Sequence, residues 1–234
     1  PDYIYPYILK ILKKYNVETI ELGVQSMDNE VLNASKRGHL KKDVMRASRL
    51  INLYGINLGH QLMIGLPKSS YKKEEYSIKE CLRYNPINLR IYPVYVISPS
   101  ELYDMYMKNE YIPLSLNEAI DRTYKVIKEC KKSNVKIIRI GLQTTDEITA
   151  SNEELVGPVC DNFAEYVLSK IVLEKVEKLI KKEIKNLSED MGNINTLIQV
   201  GVPLRYTSML SGPKKKNKMY LEEKYNVKIK IKGV

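Results

Sequence analysis

Apolar residues recur along this chain with two distinct periods. Spacings of three and four residues run through 2–15, 41–54, 69–84, 115–130 and 161–187, and each predicts an amphipathic helix. Short, almost continuous apolar runs at 17–24, 56–66, 89–97 and 135–142 predict strands covered on both faces. In the first helix Ile4, Tyr7, Ile8, Ile11, Leu12 and Tyr15 share one side. Ser26 and Asp28 are candidate N-caps for a short helix through Val31 and Leu32. Val44, Ala47, Ile51 and Tyr54 form the stripe of the helix that Gly55 closes. Ser69 or Ser70 caps the helix that Asn85-Pro86 ends, and Ser115 with Glu118 forms a capping box.

The resulting order is α-β-α-α-β-α-β-α-β. Strands separated by helical crossovers pair in parallel, with right-handed connections. An α/β architecture follows, either a barrel or a doubly wound sheet. The pattern changes after Thr145. Residues 146–160 read as a loop, and a long helix follows with Leu168, Val172, Val176 and Leu179 as its stripe. Residues 188–195 read as a polar linker. The last piece reads as a strand from Ile198, a turn at Ser211-Gly-Pro213, a basic helix, and a strand at 227–232 whose lysines alternate with apolar residues. The expected division is therefore 1–145, 146–187 and a small basic α+β appendage, 188–234.

Composition narrows the class. The formal charge is +10 over 234 residues, which favours polyanionic partners, nucleic acid first and phosphorylated cofactors second. A solvated lysine-rich surface is the alternative, since the lysines are spread along the chain. The three cysteines, Cys81, Cys130 and Cys160, are too far apart for a metal-ligand spacing, and their odd number argues against a disulfide framework. No apolar run is long enough to span a bilayer. A cytoplasmic protein with no membrane partner is the expectation.

In parallel α/β folds the ligand lies at the C-terminal ends of the strands. Those ends are Gly23-Val-Gln-Ser26, Met63-Ile-Gly-Leu-Pro67, Tyr92-Pro93 and Gly141-Leu-Gln143. Read from the residues alone, Gln25 is either a ligand contact or a helix-entry residue bonded to backbone. Arg37 is either an anion contact or a surface ion-pair partner. Glu21 pairs with a buried cation or stabilises a substrate group. Arg90 and Tyr92, two apart, share a strand face and either line a site or pack. His39 and His60, the only histidines, read as structural groups.

Glu21-Leu-Gly-Val-Gln-Ser26 followed by Arg37-Gly-His39 resembles the central segment of radical S-adenosylmethionine (SAM) enzymes, and is most similar to those related to the catalytic subunit of Elongator. Met63-Ile-Gly-Leu-Pro67, Arg90-Ile-Tyr-Pro93, Tyr111-Ile-Pro-Leu-Ser115 and Arg139-Ile-Gly-Leu142 follow in that family's order, and Pro1-Asp2-Tyr3 resembles the segment after its third barrel strand. The resemblance covers residues 1–145. It implies the C-terminal part of a (β/α)6 barrel, with SAM across the strand ends on a [4Fe–4S] cluster. It implies that Gly23 and Gln25 contact SAM and that Arg37 holds its carboxylate. It places Gln61 near an acidic ribose contact of the oxygen-independent coproporphyrinogen oxidases. The family's C-x3-C-x2-C loop is absent from this sequence, so the cluster is expected to need an N-terminal segment of the same protein, and the chain alone is expected to be inactive and poorly soluble. The resemblance makes a tRNA uridine the substrate by analogy. A coproporphyrinogen-oxidase-like enzyme and a non-catalytic RNA- or partner-binding remnant are the alternatives. No catalytic residue and no metal ligand is assigned within the chain. The stretch Gly212-Pro-Lys-Lys-Lys-Asn-Lys218 is similar to the G-x-x-G loop of KH domains, without its second glycine. That makes Lys214, Lys215, Lys216 and Lys218 candidate RNA contacts, with a solvated lysine run as the alternative.

Overall fold

The computed structural model describes residues 1–131, 133–142, 154–188 and 197–234. Two compact units divide at Phe163/Ala164. The first unit comprises α1 (Pro6–Lys14), β1 (Thr19–Gln25), α2 (Asn29–Ala34), α3 (Lys41–Leu53), β2 (Asn57–Ile64), α4 (Tyr71–Leu82), β3 (Asn88–Pro93), β4 (Val96–Ile97), α5 (Glu101–Met107), α6 (Leu116–Cys130), β5 (Lys136–Ile140) and β6 (Leu155–Val156). The second comprises α7 (Phe163–Ser188, which spans the division), β7 (Leu197–Val202), α8 (Thr207–Ser211), α9 (Lys216–Tyr225) and β8 (Lys228–Gly233).

Four strands of the first unit form one parallel sheet in the order β1-β2-β3-β5. Helical crossovers between successive strands enforce that direction. Capping chemistry sets the helix starts. Asp28 rather than Ser26 caps α2, accepting from the Val31 amide at 3.0 Å. Ser70 rather than Ser69 caps α4. Ser115 and Glu118 exchange the two bonds of a capping box on α6.

The strands are not covered evenly. Leu22 and Val24 of β1, Leu58, His60, Leu62 and Ile64 of β2, and Leu89 and Ile91 of β3 are buried. The alternate positions carry Glu21, Gln25, Gln61 and Arg90. Instead of the expected apolar cover on both faces, the sheet has one apolar face and one polar face. The predicted strand 89–97 is also split. Pro93 ends β3, and Val96–Ile97 leaves the sheet to pair antiparallel with Leu155–Val156, inside the segment expected to be a loop. The predicted stripe of α1 is not buried: Tyr7, Ile11 and Tyr15 are exposed, and Leu9 is the buried residue of the helix. This helix leads into the outermost strand, where the sheet offers less surface to pack on. Its entry is held by Arg46 of α3, which donates to the Ile4 and Asp2 carbonyls at 2.6 and 2.9 Å.

In the second unit β7 and β8 pair in parallel, joined by α8 and α9. Val176 and Ile180 of α7 pack with Ile198, Val200, Val202, Leu210, Leu221 and Ile229. Leu179, expected in the stripe, is exposed, and Ile180 takes its place: positions 173, 176, 180 and 184 all touch this core.

Two buried ionisable groups give measurable consequences. Glu74 of α4 is 5% exposed and forms a two-bond pair with Arg122 of α6, at 2.8 and 2.5 Å. Arg122→Ala strands that carboxylate, and unfolding in urea is expected to show a loss of about 3–5 kcal/mol. His60 is fully buried against Ser48, with its Nδ1 unpartnered, and burial lowers its pKa to about 4. The unfolded chain therefore binds this proton below about 6.5 while the folded chain does not until about 4. Stability is present above pH ~6.5 and is lost as pH falls toward 4, by about 3 kcal/mol from this group. Urea titrations at stepped pH are expected to show that loss in the wild type and a smaller one in His60→Leu.

Candidate functional site

The polar face of the parallel sheet gathers most of the residues singled out by sequence. Register places Gly23 beside Gln61, Gln61 beside Arg90, and Arg90 beside Arg139. The Arg90 guanidinium donates to Glu21 at 2.8 Å and to the Tyr92 hydroxyl at 3.3 Å. The Tyr92 hydroxyl first, and the Glu21 charge after it, raise the pKa of that guanidinium. Both members of the Glu21–Arg90 pair keep about a third of their side-chain surface in water, so the pair adds little stability and stays available to a polar ligand.

Gln25 closes the C-terminal end of β1. It is 4% exposed and holds a left-handed φ of +63°, an unusual conformation for a residue with a Cβ. Its amide folds back over Gly23, where an added Cβ would stand 2.8 Å from Nε2. The Gln61 amide donates to Gln25 Oε1 at 3.3 Å. Two adjoining amides on one polar face offer both donors and acceptors to hydroxyl, amino or purine groups.

Met63, two residues beyond Gln61 on the same face, lines a cleft of about 200 Å³. Arg37 and Lys36 border it on one side, Leu66 and Pro67 form its floor, and Glu101 and Met105 of α5 close the far side. Lys36 and Glu101 meet across it at 3.2 Å, both exposed. Arg37 is itself exposed, in the turn between α2 and α3. His39 fastens that turn to β1, with its ring nitrogens 3.2 Å from the carbonyl oxygens of Arg37 and Val24. It is buried and bonded to backbone, which is the structural role read for it from sequence.

A network that sequence reasoning missed holds the floor. The Gly65 amide donates to Glu74 at 2.8 Å, and the Tyr111 hydroxyl donates to the Gly65 carbonyl at 2.6 Å. Gly65 has φ +90°, a conformation glycine adopts without penalty. Burial pushes the Tyr111 hydroxyl up to about 12, so it stays a proton donor at neutral pH. A signal was available: Glu74, Ile78 and Cys81 fall on one helical stripe, and a carboxylate in a buried stripe demands a partner.

The four candidate lysines lie elsewhere, in the second unit. Lys214, Lys215, Lys216 and Lys218 occupy the turn between α8 and α9 and the first turn of α9. Gln143 lies outside the described residues.

The cysteines do not fit an iron–sulfur cluster. Cys81 and Cys130 are buried in helices, and burial raises both thiols, Cys130 to about 12. Both therefore resist becoming thiolate ligands. Cys160 is far from either in the sequence, and among the described residues no group of three or more His, Cys, Asp or Glu side chains could hold a metal. No described helix is long and apolar enough to cross a membrane.

Comparison with known proteins places this face in context. The model of the radical SAM superfamily matches residues 1–81, and that of the radical SAM C-terminal domain matches 86–182. A tRNA uridine(34) acetyltransferase of Methanocaldococcus infernus is 36% identical over 124 residues, 52% of this chain and 23% of the relative. Elongator complex protein 3 of Saccharomyces cerevisiae is 26% identical over 130 residues, 54% of this chain and 23% of the relative. The solved structure of M. infernus Elp3 with an N-terminal deletion superposes with TM-score 0.64 at 30% identity, covering 75% of this chain and 40% of that one. The chain thus spans about a quarter of the length of these curated relatives. Its parallel α/β fold is similar to part of the radical SAM fold of that Elp3 structure. With both models falling on one superfamily and in order along the sheet, this chain belongs to the radical S-adenosylmethionine superfamily.

Proposed function

We propose that this chain supplies the SAM- and substrate-facing strand ends of a radical SAM enzyme that modifies tRNA, with the cluster thiolates coming from outside these 234 residues. The observation that carries this reading is the polar sheet face ending at Gln25, whose strained backbone sets its amide against Gln61. The amide pair suits the adenosine hydroxyls, and the exposed guanidinium of Arg37 suits the methionine carboxylate, which it can take with two parallel bonds. The site fits SAM by its donor set. In this family SAM bound to the cluster is the source of a 5′-deoxyadenosyl radical. No step through the cluster is assigned to residues of this chain. Glu21, Arg90 and Tyr92 form the polar wall toward which a substrate would be presented. A uridine of tRNA is the substrate that the names of the relatives support.

The cysteines favour a second reading. With no thiolate set of its own, the chain acts as a binding module for SAM or RNA.

Calorimetry with SAM and with 5′-deoxyadenosine tests the site directly. Gln25→Ala is expected to weaken both ligands by about tenfold, or ~1.4 kcal/mol. Arg37→Ala is expected to weaken SAM and to leave 5′-deoxyadenosine, which has no carboxylate, unchanged. Equal binding of both ligands by the wild type and Gln25→Ala would remove the amide pair from the site. Equal loss of both ligands in Arg37→Ala would remove the carboxylate role.

A further inference from the structure

Positive charge is concentrated at one end of the chain. Residues 197–234 hold nine Lys and Arg against two Glu, a net +7 of the whole chain's +10. One of those carboxylates, Glu222, is engaged, accepting from the Ile229 amide at 2.8 Å and lying 3.7 Å from Lys218. Lys224 pairs with Glu177 of α7 at 2.8 Å. Among the described residues Lys228, Lys230 and Lys232 have no ion pair.

These three lysines stand on the exposed face of β8, opposite Leu197, Gln199 and Gly201 of β7, while Ile229 turns into the core. Alternate residues of a strand project their side chains roughly 6.6 Å apart, close to the step between phosphates in an extended nucleic-acid strand. Lys228 and Lys230 also border an open groove of about 940 Å³, whose other walls carry Lys215, Lys218, Thr207 and Ser208. Cations and hydroxyls therefore face one space, together with Glu222, whose carboxylate is engaged by the Ile229 amide and Lys218. A small bonded network fixes the α9 wall: Asn217 Nδ2 donates to Ser169 Oγ at 2.7 Å, and Ser169 Oγ donates to the Met209 carbonyl at 2.7 Å.

We propose that the lysine face of β8 and this groove bind the phosphodiester backbone of RNA, without reading its sequence. Charge complementarity selects a polyanion. Leu197, opposite Lys228, is exposed, but Gln199 and Gly201 stand opposite Lys230 and Lys232, and one leucine falls short of the apolar face that seats a protein in a bilayer surface. The choice of RNA over other phosphodiesters rests on the function proposed above. The groove lies in residues 197–231, beyond the matches to the radical SAM models, which end at 182.

The test is fluorescence anisotropy of a labelled single-stranded RNA with the full chain, between about 50 and 200 mM KCl. The wild type is expected to bind with strong salt dependence. Lys228→Gln combined with Lys230→Gln and Lys232→Gln should weaken binding by about tenfold or more and lower the slope of log K against log salt by roughly 2. Lys215→Gln with Lys218→Gln, on the opposite wall, should act in the same direction. Lys178→Gln, Lys181→Gln and Lys182→Gln on α7 remove the same formal charge and should change binding by less than about threefold, since they lie outside the groove. Equal losses from the α7 and β8 sets would show diffuse attraction and overturn the proposal. So would salt-independent binding, or capture by phosphatidylserine vesicles without RNA binding. Calorimetry with SAM separates the two readings, because the β8 variants keep Gln25 and Arg37. RNA binding lost with SAM binding kept is the expected pattern for the β8 set. SAM binding absent from a wild type that binds RNA would overturn the barrel site and leave this groove standing.

Discussion

One buried carboxylate organises the end of the sheet where the chemistry would lie. Glu74 takes a two-bond pair from Arg122 of α6 and a third bond from the Gly65 amide. Ser69 adds a fourth, at 3.1 Å. A carboxylate so deeply buried is tolerable only when its lone pairs are taken up by donors. Satisfying it ties together two helices and the turn after β2. That turn is the floor of the cleft bordered by Arg37, and Tyr111 holds its other side through the Gly65 carbonyl. The strand end is thereby tied to its scaffold by several hydrogen bonds, which is what a site at strand ends requires.

The uneven sheet is the second determinant. Helices α3, α4 and α6 pack against one face and bury its Leu, Ile and Val residues. The opposite face carries Glu21, Gln61 and Arg90, partly open to water, beside the buried Gln25 and Tyr92, and these side chains are joined by an ion pair and hydrogen bonds. A doubly wound sheet would be covered on both sides, whereas a barrel turns one face of its sheet inward. The family match and the polar face therefore agree on physical grounds.

The second unit solves a different problem. Its core is small, so α7, β7, α8, α9 and β8 all contribute to one apolar cluster. Alternation along β8 then sends isoleucine inward and lysine outward. The packing demand and the charge pattern have the same cause, the two-residue period of a strand.

Much was legible before any coordinates. Apolar periodicity and capping residues located the helices, and the order of elements required parallel strands; both are local or connectivity properties, carried by neighbouring residues. Gln25 and Tyr92 could be placed at strand ends for the same reason, and Arg90 on the strand face it shares with Tyr92. The pairing of Glu74 with Arg122, of Glu21 with Arg90, and of Gln25 with Gln61 joins residues 36 to 69 positions apart. Nothing in the local pattern encodes those partners, and the polar face was misread because Gly23, Gly59 and Met63 make the strands look apolar on both sides. Which stripe of α1 or α7 is buried likewise depended on what lay across from it. Sequence determined the elements and their direction through short-range sterics and hydrogen bonding. Tertiary structure decided which faces meet, because burial and charge pairing are set by neighbours in space.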